Sequence, residues 1–424
     1  MKICIIGGGS TYTPELIEGL IAIGDDVRID EICLLDIAEG ARKLKVLSEF
    51  ASRMLKAAGT DVKLSATLDP EEAIAGSDYI LNQFRAGLMH GRINDEKIPL
   101  LYGLIGQETT GMGGMTNGLR AMPIMEKYVD MARRLSNNAW IINFTNPSGM
   151  LTEFLINYLG YKRCVGLCNC PIGFIMQAMS AFGCECDDVF LLSYGLNHLS
   201  WVEKVYIAGT DRTDEFLRIS MQSIPDLEYQ PDFMVFLKML PNPYLRYYYN
   251  TGLMLQNQIA QRNAEGTRGE VILKIEEELL ALYAQPDRTR PPAELSKRGG
   301  YMYSTVATEL LKSLATDDRR RHIVNTSNNG TIEDFPADYV MEIPVVMTSD
   351  GPEAIKLGRA NKATIGLIST IKNYERLTIE GYLKADESLI KQAMLIHPLG
   401  PDEERLNDLW SDLKRANTGY FPCF

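Results

Sequence analysis

A short apolar run, residues 2–6, breaks into three consecutive glycines, Gly7, Gly8 and Gly9, followed by Ser10-Thr11-Tyr12-Thr13-Pro14-Glu15. Strand, glycine loop and helix in that order leave the N-terminal part few folds. The glycines let the chain reverse within a few residues, and the amides at the helix start face an anion. Gly7 permits the tight turn and Gly9 lets backbone approach a pyrophosphate. Thr13 is placed to cap the helix, with Pro14 in its first position. Tyr12 stands where the dinucleotide motif carries a third glycine. The next apolar run, residues 31–35, ends at Asp36. A carboxylate there accepts hydrogen bonds from an adenine-ribose 2′-hydroxyl and repels a 2′-phosphate, which favours NAD over NADP. Gly7, Gly8, Gly9, Ser10, Thr11, Thr13 and Asp36 are the expected dinucleotide contacts.

The α/β alternation continues, and the predicted fold is a Rossmann-type doubly wound sheet. Strands are expected at 62–68, 79–84, 140–143, 188–194, 200–208 and 339–347. Helices are expected at 43–58, 70–75, 116–135, 150–159, 171–181, 270–283, 301–316 and 377–397, with a partly helical 351–371. Residues 85–92 read as a loop at a strand end, where Arg85 and Arg92 suit an anion. Residues 103–114, rich in glycine, read as a flexible loop. A chain of 424 residues exceeds what one core usually serves. We expect an NAD-binding domain at 1–200 and a largely helical α+β domain at 201–424 that covers substrate and metal.

The formal net charge of −12 and the lack of a long Lys/Arg run argue against nucleic acid as a partner. No apolar segment is long enough to predict a membrane span, and the chain opens directly on a strand pattern rather than a leader. Eight cysteines, several inside apolar runs, suit a reducing, cytoplasmic setting.

Cys168 ends an apolar run just before Pro171 opens a helical pattern, and His198 follows the run 189–194. A thiol and an imidazole at successive strand ends are two ligands for one divalent ion, with positions open for substrate; two buried core residues are the plainer alternative. Cys170 reads as packing, and His90, His322 and His397 as loop or structural residues. Asn146 has an amide to offer substrate or nicotinamide. A nicotinamide site beside such a metal would serve redox chemistry at a carbinol.

Gly7-Gly-Gly-Ser-Thr-Tyr-Thr-Pro, Gly106-Gln-Glu-Thr, Asn146-Pro-Ser, Cys168-Asn-x-Pro-Ile-Gly and Gly195-Leu-Asn-His together resemble glycoside hydrolase family 4, the NAD- and manganese-dependent glycosidases. The resemblance implies a lactate/malate dehydrogenase-like fold, Cys168 and His198 as Mn²⁺ ligands, and Tyr244 as the base at sugar C2, with Tyr247 in reserve. It implies Arg92, Asn146 and Arg268 as substrate contacts, joined by Arg85 and Asn169. The implied route oxidises the C3 hydroxyl, removes the C2 proton, expels the C1 oxygen, adds water and reduces C3 again. The 6-phospho-α-glucosidase branch carries Asp after the metal Cys; Asn169 here is similar to the 6-phospho-β-glucosidase branch and leaves the general acid unassigned. The implied substrate is a phosphorylated disaccharide, and the implied assembly a homodimer or homotetramer. Other glycosides, a metal-free NAD-dependent 2-hydroxyacid dehydrogenase, and a non-catalytic NAD-binding module are the competing readings.

Overall fold

The computed structural model describes residues 1–223, 229–230, 232–299, 303–421 and 424. Its first half is a wound parallel array. In chain order come β1 (Lys2–Ile6), α1 (Thr13–Ala22), β2 (Glu31–Leu35), α2 (Ala41–Ala57), β3 (Lys63–Thr67), α3 (Pro70–Ile74), β4 (Tyr79–Asn82), α4 (Leu88–Leu101), α5 (Gly111–Leu135), β5 (Trp140–Asn143), α6 (Ser148–Glu153) and β6 (Cys164–Gly166). The strands lie in the order β3-β2-β1-β4-β5-β6, all parallel. β1, β2, β4 and β5 are apolar on both faces because helices cover both; Ile3, Ile5, Ile32, Leu34 and Ile142 are fully buried. α2 turns Leu44, Leu47, Phe50, Ala51, Met54 and Leu55 inward, the stripe expected of a helix lying on a sheet.

The chain then adds α7 (Cys170–Phe182), β7 (Val189–Leu196), β8 (Leu199–Ile207), β9 (Thr210–Asp211), α8 (Thr213–Ser223), α9 (Phe233–Leu237), β10 (Leu240–Pro241), α10 (Arg246–Tyr249), α11 (Thr251–Ala264), α12 (Arg268–Tyr283), α13 (Tyr303–Thr316), β11 (Arg321–Ser327), β12 (Val340–Thr348), β13 (Gly351–Ala354), α14 (Lys362–Lys384), α15 (Glu387–Ile396) and α16 (Glu403–Ala416). β11 and β12 return to insert between β6 and β7, so the sheet continues as β6-β11-β12-β7-β8-β10 with antiparallel pairing. The expected boundary at 200 falls inside β8, and one sheet runs across it.

Several expectations need correction. Residues 88–92 are the start of α4, not loop, so Arg92 stands on a helix. The glycine-rich 103–114 segment packs rather than floats. A Cβ on Gly113 would lie 2.4 Å from Gln107 O, and one on Gly106 2.0 Å from Glu96 O, so the glycines are there for close approach. The expected helix at 377–397 is broken where Ala385 takes φ 50°, and Asp386 caps α15 by accepting from Ser388 N–H. β11 carries three consecutive polar residues, Asn325-Thr326-Ser327, which hid it from an apolar-run reading. The expected helix start at Tyr301, the turn at Gly300, Cys423 and part of the mixed region 215–239 lie outside the described residues.

Candidate active site

Two cavities open along the C-terminal ends of the parallel strands and share a wall made of Tyr12, Arg85, Phe144, Asn146 and Arg298. The first, of about 460 Å³, is lined by Gly7, Gly9, Ser10, Asp36, Lys43 and Gln83 among others. Gly7 takes φ 88°, and a Cβ there would stand 2.8 Å from Phe84 Cα. A Cβ on Gly9 would lie 2.5 Å from an Asp36 carboxylate oxygen. Asp36 accepts from Gly9 N–H at 2.6 Å and from Ile37 N–H at 2.8 Å, while burial pushes its pKa up. Its carboxylate thus closes the loop where a ribose would lie. Thr13 is not the cap: it is the first residue of α1, and its hydroxyl donates to Gly8 O at 2.9 Å. With Gly8 and Thr11 it stays off the cavity wall and holds the loop's shape from behind. His90, expected in a loop, lies on α4 and lines this cavity.

The second cavity, of about 580 Å³, brings together every other expected site residue: Arg85, Arg92, Asn146, Cys168, Asn169, His198, Tyr244, Tyr247 and Arg268. Cys168 follows β6 by two residues and lies just before α7; Cys170 N–H, at the start of that helix, donates to its sulfur at 3.4 Å. His198 is the second residue of the two-residue connection between β7 and β8, and takes φ 61°. A left-handed histidine is uncommon, and such strain concentrates at functional positions. The turn is held from below by Glu342 of β12, fully buried, which accepts from Asn197 Nδ2 at 3.2 Å and Ser200 Oγ at 2.8 Å. The ligating atoms of Cys168, Cys170 and His198 lie within 4.8 Å of one another. Burial lowers the pKa of His198, but the Cys168 and Glu342 charges outweigh it and the net shift is upward. Its Nδ1 is buried without a hydrogen-bond partner. An orphaned imidazole nitrogen beside two thiols is a donor set that fits a divalent cation.

Tyr244 follows Pro243 in a single 3₁₀ turn, capped by Asn242, whose side chain accepts from Tyr244 N–H at 3.0 Å. Its ring stacks on His198 at 4.0 Å between centroids. Burial first, then neighbouring thiols and Tyr247, push the phenol's pKa up, and Arg92 opposes them. Tyr247 lies 6.0 Å away and accepts from Gln107 Nε2 at 3.3 Å. Of these two tyrosines, Tyr244 is the one whose ring stacks on the imidazole.

Five arginines and two glutamates line this cavity, in a chain whose formal charge is −12. Arg85 and Arg92 both pair with Glu108, and Arg92 also holds Glu96 at 2.9 Å. Arg268, at the start of α12, donates to the carbonyls of Lys297 and Arg298. Arg298 is tied to Glu276 at 2.7 Å and lies 3.9 Å over the Tyr12 ring. Burial, then the charges of Arg92 and Arg298, push Arg85 down to about 9. Asn146 precedes a cis proline, and Asn117 Nδ2 donates to its carbonyl at 3.0 Å.

From sequence, Cys170 reads as packing, Arg298 and Lys297 read as outside candidates for a 6-phosphate, and no role falls to Glu108, Glu276 or Glu342. Cys170 was signalled by the Cys-x-Cys spacing, and Glu108 by its place in Gly106-Gln-Glu-Thr. Glu342 sits in an otherwise apolar strand pattern, where a lone acid is the anomaly. Nothing local singles out Glu276.

Residues 2–183 match the model of the family 4 glycosyl hydrolases, and residues 193–400 match that family's C-terminal domain. A 6-phospho-beta-glucosidase of Thermotoga maritima is 47% identical over 423 residues, covering 99% of each chain. Its structure with manganese, NAD+ and glucose-6-phosphate superposes with a TM-score of 0.95 at 45% identity over 100% of both chains. A 6-phospho-alpha-glucosidase of Lacticaseibacillus paracasei is 26% identical over 99% of this chain and 98% of its own. A lactate dehydrogenase of Cryptosporidium parvum, 17% identical, covers 89% of this chain and 96% of its own at a TM-score of 0.51, a likeness of fold alone.

Proposed function

The chain belongs to family 4 of the glycosyl hydrolases, and from that premise we propose that it hydrolyses 6-phospho-β-glucosides such as cellobiose 6-phosphate, with NAD and Mn²⁺ or another divalent cation as resident cofactors. The carrying observation is the arginine excess around a cavity that shares a wall with the dinucleotide loop. A sugar phosphate supplies the negative charge this cavity lacks, and its carbinol then lies toward the nicotinamide end. The likeness to a 6-phospho-beta-glucosidase at 47% identity, against 26% to a 6-phospho-alpha-glucosidase, favours the β-linked substrate.

The chain's residues divide the work as follows. Gly7, Gly9, Ser10 and Asp36 hold the dinucleotide; Gly8, Thr11 and Thr13 shape the loop. When bound, a nicotinamide accepts hydride from a carbinol, and a divalent cation stabilises negative charge on neighbouring oxygens. Cys168 and His198 hold the cation. Tyr244 removes the proton at sugar C2; its buried phenol needs a positive charge beside it to ionise near neutral pH, and its place against His198 provides one when the cation is bound. Arg85, Arg92, Arg268 and Arg298 hold the 6-phosphate and the sugar hydroxyls. Asn146 and Asn169 orient the ring with their amides, and Tyr247 lines the aglycone side. Residues 1–200 carry the cofactor loop, and 201–424 supply the base and most of the cover.

No described helix is long and apolar enough to cross a membrane. We place the protein in the cytoplasm as a homodimer or homotetramer; the seven described cysteines, all free thiols, accord with a reducing compartment. The test is hydrolysis of an aryl 6-phospho-β-glucoside by protein stripped of cofactors. Activity is expected only when NAD⁺ and a divalent cation are both restored. Activity that persists without them, or NADH accumulating with a 2-hydroxy acid instead, would overturn the reading.

A further inference from the structure

We infer that Cys170 is a third protein ligand of the cation centre, so that this chain offers two thiolates and one imidazole and selects borderline divalent ions such as Zn²⁺ and Co²⁺ over Mn²⁺. The inference rests on the reading of Cys168 and His198 as ligands and adds a donor to it.

Three observations carry it. The sulfur of Cys170 belongs to the one group, among the described residues, of three or more His, Cys, Asp or Glu side chains whose donor atoms converge, within 4.8 Å of one another. Cys170 is only partly buried and lines the same cavity as Cys168 and His198. His198, 6% exposed, contributes one ring nitrogen to that group, and its Nδ1 is buried without a hydrogen-bond partner. The sequence reading of Cys170 as packing is corrected by its place: as the first residue of α7, it has its side chain beside Cys168 rather than under the helix.

The chemical consequence follows from donor softness. A Mn²⁺ site favours oxygen donors, whereas a pair of thiolates with an imidazole is a zinc-type set with an open position for a substrate oxygen. Each thiol gives up its proton when the ion enters, so two protons leave per ion bound through both sulfurs. The ion keeps its oxidation state, and the centre needs no reductant beyond what keeps the thiols free.

The test uses full-length protein, stripped by chelation under reducing conditions and titrated with Co²⁺, Zn²⁺ and Mn²⁺. The readouts are sulfur-to-cobalt charge-transfer absorption and competition between Zn²⁺ and Mn²⁺. In Cys170→Val the charge-transfer intensity per bound cobalt is expected to fall by about half and Zn²⁺ affinity by tenfold or more, with Mn²⁺ affinity nearly unchanged. Cys170→Ser, closer in size, gives the same result if the valine protein folds poorly. Wild-type intensity and an unchanged Zn²⁺ to Mn²⁺ preference in both variants would overturn the inference. A Cys168→Ser arm separates the two readings: if it too leaves cobalt binding unaltered, the centre itself is wrong; if it alone abolishes the absorption, only the role of Cys170 is.

Discussion

In the parallel half of the sheet, neighbouring strands pair over three to five residues, whereas the antiparallel half joins it through a single register pair, Asn325 with Gly166, and within that half β12 meets β7 at one pair, Glu342 with Gly195. The two halves also differ in how they make a site. The dinucleotide loop is one continuous strand, turn and helix. The arginine-lined cavity gathers Cys168, His198, Tyr244 and Arg268 from separate segments, and its thiol–imidazole group straddles the lightly paired seam, with β11 and β12 lying between β6 and β7. A contiguous loop suits a cofactor that stays bound. An assembled cavity lets reacting groups be set one by one, and Glu342 bracing the His198 turn is an instance of such setting.

If the halves are separable in function, substitutions should be too. Cys168→Ser should cost several kcal/mol of barrier, about 10³-fold or more in kcat, while calorimetric NAD⁺ affinity stays near wild type; a parallel loss of NAD⁺ binding would break the division. Tyr244→Phe should lower kcat by on the order of 10²- to 10³-fold with little change in KM, and Tyr247→Phe should do far less. Equal losses in both would return the base to an open question.

Arg268→Ala should raise KM for phosphorylated substrates by roughly tenfold or more, the worth of one charge-assisted hydrogen bond, and leave any turnover of unphosphorylated glycosides unchanged. On the other side of the wall, Asp36→Asn should weaken NAD⁺ by about tenfold and narrow its advantage over NADP⁺, with kcat at saturating cofactor preserved.

A further effect, on stability rather than on ligands, concerns neither half. His397 is buried, accepts from Leu399 N–H at 3.0 Å through Nδ1, and burial pushes it down to about 3. The unfolded chain therefore takes up this proton first. The stability His397 contributes is full above pH 6.5 and is lost as pH falls from 6.5 toward 3. Between pH 6.5 and 5 denaturant titration should show about 2 kcal/mol of loss, and His397→Gln should flatten that stretch without touching either ligand site.

The same division explains what the sequence could tell. Residues 7–13, Asp36 and the apolar parallel strands were legible because each is a local pattern with its own periodicity or turn chemistry. Cys168, His198 and Tyr244 were legible as members of a motif set, but local pattern alone left both the pairing of thiol with imidazole and the choice of tyrosine open. β11 was hidden because its polar residues face a buried seam rather than solvent: Asn325 is fully buried. Glu276 and Glu342 act across long sequence separations, Glu342 on a turn some 145 residues earlier, and no local period reports such a contact. The break at Ala385 was missed because alanine in a left-handed conformation runs against its own preference.

The measurement that reaches the centre of this account is the fate of the proton at C2. Cleavage of a 6-phospho-β-glucoside in D₂O, with the released glucose 6-phosphate read by mass spectrometry and proton NMR, should show deuterium at C2 if, as proposed, Tyr244 removes that proton to solvent before water adds at C1. A product that forms at full rate with its original hydrogen at C2 would mean direct displacement at C1, and would leave the shared wall between the two cavities without the chemistry assigned to it.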